Sequence, residues 1–351
     1  MKNKIVTFIS IFFLILACSK KQDENTYSIS DEHEYEVKSE IVFAAEGKDS
    51  LNYFYDIAII DSFVILGNFY GDTLMSFYKN LDFSNCFLKI IKGNGPKEFV
   101  EQHVQINKAV GFDTITFFEI NARRIKKTNI TEIYGIQNFE SEFLSKTIPD
   151  VTEFNMTKKY ILGLDFGSRK IFIYNKETNQ MILSDYYPKS DISYNKSELS
   201  YLYECRLGIN EPAETVCGGL ISLNCVCFFD FNLVPKKTII VGDKLYFPKS
   251  EPYKMFSNSK FYFLDVCGTN DYVYCLYRGT YQDATKSIKI FVFNWEGEHI
   301  TTIKTDCNLW NSIAVDKNNR YILGLSYIDN GSTDVVKIPL EGVLKSNINE
   351  L

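Results

Sequence analysis

The feature that most constrains the fold of this chain is an internal repeat. The segment Lys159–Asp165, KYILGLD, recurs almost unchanged as Arg320–Ser326, RYILGLS. Each copy leads through a polar turn into a second run of strand-forming residues, at 170–174 and at 334–338. The copies start at positions 159 and 320 and so lie 161 positions apart, which is three or four units of the ~40 to 50 residues that form a β-propeller blade. The repeat therefore favours a ring of similar β-sheet units.

The remaining sequence is typical of an all-β protein. From Tyr35 onward, short β-branched and aromatic runs alternate with turn residues, and long amphipathic helical patterns are absent. A weaker third copy of the repeat, Asp271–Tyr277, leads into a second strand pattern at 287–293. About 310 residues up to Pro339, at roughly 50 per blade, predict a six-bladed β-propeller of four-stranded antiparallel blades. A pair of sheets packed as a sandwich is the alternative.

The N-terminus has the pattern of a bacterial lipoprotein signal. Two lysines precede an apolar run at 5–16, which is shorter than the ~20 residues that cross a bilayer as a helix. The run ends in Ile15–Cys18, with an aliphatic residue at minus three and a small residue before the cysteine. We predict a signal peptide at 1–17 and lipid on the sulfur of Cys18, which anchors the chain to a membrane without spanning it. An ordinary cleaved signal with a chance cysteine is the alternative.

The segment after the predicted cleavage site is polar and charged. Residues 18–34 are therefore predicted to be a lipidated N-terminus and flexible tether, and residues 35–345 the propeller domain. Lys20–Glu24 loosely resembles the charged segments that direct some lipoproteins of Bacteroides-type bacteria to the outer face of the outer membrane, although a plain solvated spacer fits equally well. We expect a lipid-anchored location in the cell envelope, at the outer membrane, on its periplasmic or surface side.

Composition argues against several functions. Loss of the two lysines in the signal peptide changes the net charge from −6 to about −8, so nucleic acid is not an expected partner. The three histidines are scattered, which argues against a multi-histidine metal centre. The cysteines after Cys18 show no disulfide framework. Cys225 and Cys227 are two positions apart in an apolar run and are predicted to be small buried residues on one face of a strand, with a metal pair as the alternative.

Several segments resemble a known family. Gly93–Phe99, GNGPKEF, together with 272–279, 290–297 and 313–316, is similar to the TolB-like six-bladed β-propeller lipoproteins of Bacteroides-type bacteria. Lys97 stands where the family pattern has a third glycine, which indicates that the backbone there does not require one. The resemblance covers most of residues 40–340 and implies fold and location, but little about chemistry. From the residues themselves, the glycines and proline set a fixed turn, and Phe99 is predicted to fill the core between blades.

No recognised catalytic motif is present, since the chain contains neither a Gly-x-Ser-x-Gly elbow nor a Walker loop. The fold leaves one enzymatic alternative, a calcium-dependent propeller hydrolase or lyase similar to a lactonase. Its ligands would be acids such as Glu153, Asp165, Asp230 and Asp316, for which turn capping is the favoured interpretation. We therefore predict no catalytic residue, no metal and no cofactor.

The predicted function is binding. Rigid propeller blades hold variable loops at one face, so we expect a non-enzymatic envelope lipoprotein whose propeller binds a protein or glycan partner. The candidate ligand-binding residues are Arg206 and Arg278, because a guanidinium at a propeller face can bind an anionic group. Arg278 follows a strand pattern and is predicted to lie in a loop, where pairing with a neighbouring acid is the alternative role.

Overall fold

The computed structural model describes residues 25–29, 34–44, 53–100, 103–109, 114–135, 139–248, 260–281, 288–328 and 332–344. Cys18 and the predicted signal peptide lie outside these ranges, so lipidation stays a prediction. Within the ranges the chain forms 26 β-strands, one α-helix and one 3-10 helix. No helix among these residues is long and apolar enough to cross a membrane.

The strands form six sheets, each with four antiparallel strands, so the prediction of a six-bladed β-propeller is confirmed and the sandwich alternative is wrong. The first three blades are β4 (Phe54–Ile60), β5 (Phe63–Asn68), β6 (Thr73–Lys79) and β7 (Leu88–Ile91); β8 (Val104–Ile106), β9 (Thr114–Glu119), β10 (Arg124–Asn129) and β11 (Glu140–Phe143); and β12 (Val151–Met156), β13 (Tyr160–Asp165), β14 (Ile171–Asn175) and β15 (Gln180–Leu183).

The last three blades close the ring. They are β16 (Cys205–Asn210), β17 (Thr215–Leu220), β18 (Cys225–Asp230) and β19 (Pro235–Val241); β20 (Lys260–Gly268), β21 (Tyr272–Tyr281), β22 (Lys289–Asn294) and β23 (His299–Thr305); and β24 (Leu309–Val315), β25 (Tyr321–Tyr327), β26 (Thr333–Pro339) and the N-terminal β3 (Glu40–Phe43). A 3-10 helix, Ile130–Gly135, precedes β11, and α1 (Lys196–Leu202) connects blades 3 and 4. The first strand of each blade lies innermost, since first strands of neighbouring blades contact one another around the axis.

The N-terminal strands run along the outer edges of three consecutive blades. β1 (Thr26–Ile29) adds to blade 4 in parallel with β19, β2 (Glu34–Val37) adds to blade 5 in parallel with β23, and β3 completes blade 6. β1 belongs to the segment predicted to be a flexible tether. That prediction does not hold for Thr26–Ile29, because their backbone pairs with β19, and the Thr238 amide donates to the Asn25 carbonyl at 2.9 Å. The ordered domain therefore begins before residue 35.

The internal repeat has a direct structural counterpart. Its two copies form β13 and β25, which are the second strands of blades 3 and 6 and so lie half a turn of the ring apart. The central glycine of each copy is required by close packing: a Cβ on Gly163 would lie 2.5 Å from the Phe172 ring, and one on Gly324 would lie 2.5 Å from Leu309 Cδ2. The repeat therefore marks equivalent positions in two blades.

Hydrophobic clusters fill the spaces between blades. Among the described residues there are six, and each joins two adjacent blades, with the last joining blade 6 to blade 1. Phe99 is fully buried in the cluster between blades 1 and 2, as predicted. Cys225 and Cys227 are both buried in the cluster between blades 3 and 4, which confirms their predicted shared face. Each of the eight described cysteines is a free thiol.

The Gly93–Phe99 segment forms a compact turn between β7 and β8. The Glu98 carboxylate accepts a hydrogen bond from the Gly95 amide at 2.7 Å and packs so closely on Gly93 that a Cβ there would overlap it. Lys97 does not adopt a left-handed φ, in agreement with the expectation that this position does not need glycine. The turn fixes the backbone from which the Phe99 ring enters the core.

Candidate functional site

The central channel contains two cavities of about 490 Å³ each, one at either mouth. We call the one at the starting ends of the innermost strands the entry cavity; its lining includes Tyr53, Phe69, Tyr70, Gln105, Glu153 and Arg206. The opposite cavity lies at the finishing ends of the same strands. Lys108 lines both cavities, so it lies at the partition between them.

The partition is a cluster of charged and polar side chains. The Lys108 ammonium lies 2.8 Å from Asp56 Oδ1 and 3.0 Å from Asp265 Oδ2, and it donates to Ser312 Oγ at 2.7 Å. Ser312 in turn donates to Asp56 Oδ1 at 2.8 Å. Although burial alone would lower the pKa of Lys108, Asp265 and Asp56 outweigh it and hold that pKa well above its usual range. Lys108 is therefore held as a cation between the two cavities.

Each blade contributes one polar side chain to the channel at or beside this partition. In blade order these residues are Asp56, Lys108, Glu153, Arg206, Asp265 and Ser312, which we call the axial ring. The Coulomb attraction between Arg206 and Asp265 links the two halves of the ring. The axial ring consequently lies between the two cavities, and Lys108 contributes to both of them.

Irregularities in the innermost strands accompany the axial ring. The strand register shifts immediately before Asp56 in β4, before Glu153 in β12 and before Asp265 in β20. A longer irregularity in β24 spans 309–313 and includes Asn311, whose φ of 58° is left-handed. β-Bulges redirect side chains and are frequent beside functional sites. Here they coincide with the carboxylates that face the axis.

Arg206, one of the two arginines predicted to bind ligand, lies in the entry cavity. Its Nη1 donates to Glu153 Oε2 at 2.9 Å, and its Nε donates to the Leu264 carbonyl at 3.1 Å. Burial disfavours the charged form, but Glu153 and Asp265 outweigh it and raise the pKa of Arg206. The guanidinium is thus held as a cation by two hydrogen bonds, through Nε and Nη1, on a residue that lines the entry cavity.

One side of the entry cavity is an aromatic wall formed by blades 1 and 2. Phe69 lies at its centre, with ring centroids at 5.0 Å from Tyr70, 6.0 Å from Tyr53, 6.0 Å from Tyr55 and 5.3 Å from His103. Tyr70 is about half exposed and lines the cavity, and its contacts with Phe69 and Tyr53 are edge-to-face. Sequence analysis did not identify this wall, because its residues come from different strands and loops.

The cavity also contains an unused hydrogen-bond acceptor. Gln105 donates through Nε2 to the Thr152 carbonyl at 2.7 Å, while its buried Oε1 accepts no hydrogen bond from the described residues around it. A buried polar atom without a partner is costly and is normally satisfied by water or a ligand. Gln105 Oε1 is therefore a buried, unpartnered acceptor on a residue that lines the cavity.

Arg278 is placed differently from the expectation. It lies within β21 and is only 6% exposed, so its prediction as a loop residue is wrong. Its guanidinium packs over the Trp310 ring at 4.7 Å, and burial lowers its pKa. Arg278 does not line the entry cavity, so the structure does not bring it together with Arg206.

The four acids considered for a calcium site do not assemble. Asp165 accepts from the amides of a turn at 167–168, Asp230 accepts from Asn232 and Val234, and Asp316 binds Arg320. These contacts match the turn-capping interpretation. Only Glu153 faces the channel, and within the described ranges no three His, Cys, Asp or Glu side chains are grouped as metal ligands.

The fold and cavities define a class: a six-bladed β-propeller with a cavity at each mouth of its central channel. No family model matches the chain, and no curated protein matches it. Among solved structures it is similar to a DUF4221 family member from Bacteroides vulgatus, with a TM-score of 0.55 and 10% identity over 86% of this chain and 97% of that one. It is also similar to a putative exported protein from Bacteroides fragilis, with a TM-score of 0.52 and 11% identity over 89% and 98%.

At these identities the likeness concerns the fold alone. The Bacteroides neighbours agree with the expected propeller architecture. The more specific resemblance to the TolB-like family stays a prediction, because no family model matches.

Proposed function

We propose that this chain is an envelope lipoprotein whose propeller binds a protein or glycan partner in the entry cavity and does not catalyse a reaction. The observation that carries the proposal is the cavity itself. Its volume of about 490 Å³ falls within the roughly 300–1,000 Å³ typical of ligand sites. It combines an aromatic wall with a few convergent polar groups, which is the usual composition of a recognition site.

The ion pairs of the axial ring support a binding role. Asp56 and Asp265 each contact Lys108, and Glu153 contacts Arg206. Burial raises the pKa of Glu153, and Arg206 opposes that shift. The same ion pairs fix side-chain positions, which suits a site that recognises shape.

The N-terminal sequence supports an envelope location. The Ile15–Cys18 motif fits lipoprotein processing, and one structural neighbour is described as a putative exported protein. Seven Cα steps separate Cys18 from Asn25, so the chain between them can span at most about 25 Å. A lipid on Cys18 would therefore keep the outer edge of blade 4 close to a bilayer, and the partner would be met at that membrane.

The anchor is tested by metabolic labelling. Radiolabelled palmitate should enter the wild-type protein and not the Cys18→Ser variant, because the thiol carries the diacylglyceryl group. Equal labelling of the two proteins would contradict lipidation at this residue.

The binding function is tested by site-specific photo-cross-linking in intact cells. A photoreactive amino acid at Tyr70, on the aromatic wall, should capture a distinct envelope protein or glycan. The same amino acid at Tyr27 is the matched control, because both tyrosines are 48% exposed but Tyr27 lies on the outer edge of blade 4. Identical products from both positions would argue against the cavity as the binding site. The protein is also tested for hydrolysis of a panel of lactones in the presence of calcium. Hydrolysis that a chelator abolishes would reject the binding proposal and support the hydrolase alternative.

A further inference from the structure

The floor of the entry cavity restricts the chemistry of its ligand. Lys108 and the carboxylates of Asp56 and Asp265 form this floor. An apolar peptide side chain inserted there would remove water from charged groups without providing hydrogen bonds in return, which is unfavourable. The part of the ligand that enters the cavity is therefore polar.

The charges in the cavity are nearly balanced. The three carboxyl groups of Asp56, Glu153 and Asp265 stand against the two basic groups of Lys108 and Arg206, and each carboxyl group contacts one of these cations. A cationic ligand would approach Lys108 and Arg206, whereas an anionic ligand would approach the carboxylates, and like charges at short range repel. The balance favours a ligand without net charge that forms many hydrogen bonds.

The aromatic wall adds a non-polar surface beside this polar floor. Tyr70 and Tyr53 both line the cavity, with ring centroids 5.5 Å apart and ring planes at 61°. An aromatic face carries a partial negative charge, which attracts weakly positive C–H groups. One face of a pyranose ring presents such a set of C–H groups, while its edge presents hydroxyl groups.

Hydrogen-bonding groups also line the cavity. Asn311 lines it in a left-handed backbone conformation, and Arg206 and Glu153 line it as an ion pair. A non-glycine residue held at such a φ stores strain, which is commonly found at functional sites. Gln105 lies beside these groups with its buried Oε1 unpartnered. The hydroxyl groups of a sugar ring can both donate and accept hydrogen bonds, which suits this mixture of donors and acceptors.

We infer that the entry cavity binds an uncharged sugar ring of an oligosaccharide, stacked on the aromatic wall with its hydroxyl groups toward Gln105, Asn311 and Arg206. This inference rests on the proposed binding function and names the ligand class of the same cavity. Lys108 and its partners lie at the inner end of the entry cavity, so we expect the ring to enter from the face of the propeller.

The test is a binding screen of the full mature chain in a detergent without a sugar head group. The probes are neutral disaccharides built from glucose, galactose, mannose and N-acetylglucosamine, followed by saturation-transfer NMR and titration. We expect at least one neutral disaccharide to bind. Tyr70→Ala should weaken that binding at least about tenfold, because it removes the exposed ring of the wall. Tyr27→Ala, with equal exposure elsewhere, should leave the affinity unchanged.

A second variant separates binding from folding. Asn311→Gly removes the amide but suits the left-handed φ, so it should weaken binding several-fold without lowering the unfolding midpoint. Neutral sugars that bind equally well to wild type, Tyr70→Ala and Asn311→Gly would overturn the assigned site. Binding of only uronic-acid oligosaccharides or of peptides would overturn the ligand class while leaving the proposed binding function intact. If none of these probes binds and the Tyr70 cross-link also captures nothing, both the sugar ligand and the proposed binding function are rejected.

Discussion

Replacing Lys108 by Met should be among the most destabilising single changes in the channel. Lys108, Asp56 and Asp265 have side-chain exposures of only 12%, 15% and 10%, so the methionine would leave two buried carboxylates without a cation. Removing one partner of a buried ion pair typically costs about 3–5 kcal/mol. We expect the lower value, about 3 kcal/mol, because backbone amides still donate to both acids: Ile57 to Asp56, and Val266 and Ile313 to Asp265.

The pH dependence of folding stability shows whether the loss in Lys108→Met arises from the buried charges. In the wild type, burial opposes the charge on Lys108, but the two acids raise its pKa in the folded state above the unfolded value of about 10.4. The stabilisation is therefore fully present below pH ~10 and is lost as the pH rises through the folded pKa. In Lys108→Met, protonation of a carboxylate removes uncompensated charge. The loss in free energy of unfolding relative to wild type should therefore become smaller as the pH falls from 8 towards 4.

The assay is urea unfolding of wild type and variants at pH 8 and at pH 5. The matched control is Lys317→Met, because Lys317 and Asp61 form an exposed ion pair at 2.7 Å, with exposures of 67% and 45%. Such surface pairs contribute about 0–1 kcal/mol. A loss at Lys108 no larger than that at Lys317, or a loss independent of pH, would refute the argument that the partition is a buried charge cluster.

Two further substitutions test the packing of the blades. Phe99→Ala should cost about 3–5 kcal/mol in the free energy of unfolding, since this ring is fully buried between blades 1 and 2, whereas Phe143→Ala, at a side chain 73% exposed, should change it by less than about 0.5 kcal/mol. Gly163→Ala should cost about 1–3 kcal/mol because its Cβ would overlap Phe172, whereas Gly167→Ala, whose Cβ would meet nothing nearer than Asp165 Oδ1 at 3.7 Å, should be close to neutral. Thermal unfolding of each pair checks both, and equal midpoints within a pair would contradict the packing argument.

The architecture could be predicted because equivalent blade positions impose equivalent requirements. The two copies of the repeat form β13 and β25, and both need a glycine where a neighbouring side chain crosses the strand. Blade strands are also buried on both faces, as in β17, so they appear in the sequence as continuous apolar runs. These constraints are local or periodic and can therefore be recognised in one sequence.

β1 was missed for the opposite reason. β1 and β2 are both four-residue edge strands of polar composition, but only β1 lies wholly in the segment predicted to be a flexible tether, whereas β2 falls in the predicted propeller domain except for Glu34. Edge strands tolerate polar residues because one side of the strand faces solvent. The partner strands of β1 and β2, which are β19 and β23, lie more than 200 positions away in sequence, so no local pattern predicts the pairing. Arg278 was misplaced because the ring that covers it, Trp310, comes from the next blade.

Two members of the axial ring can be recognised in the sequence once the blade strands are known, because they are acidic residues within apolar strands. Asp56 and Asp265 interrupt the otherwise apolar strands FYDIAII and KFYFLDVCG. A carboxylate in such a strand is costly unless a cation pairs with it, and Lys108 is that cation. What no single sequence could supply is the pairing itself, because the bulges that turn these side chains to the axis arise from packing between blades.

The same ring explains why the candidate site and the stability of the fold are connected. Each blade supplies one member, so the cluster bonds side chains that are separated by whole blades in sequence and includes both sides of the closure between blade 6 and blade 1. A ligand on this floor contacts groups whose relative positions are set by the entire ring. The entry cavity is therefore rigid before the ligand arrives, and little side-chain entropy is lost on binding. A site built in this way needs no moving lid to recognise its ligand, because closure of the propeller has already positioned the polar groups.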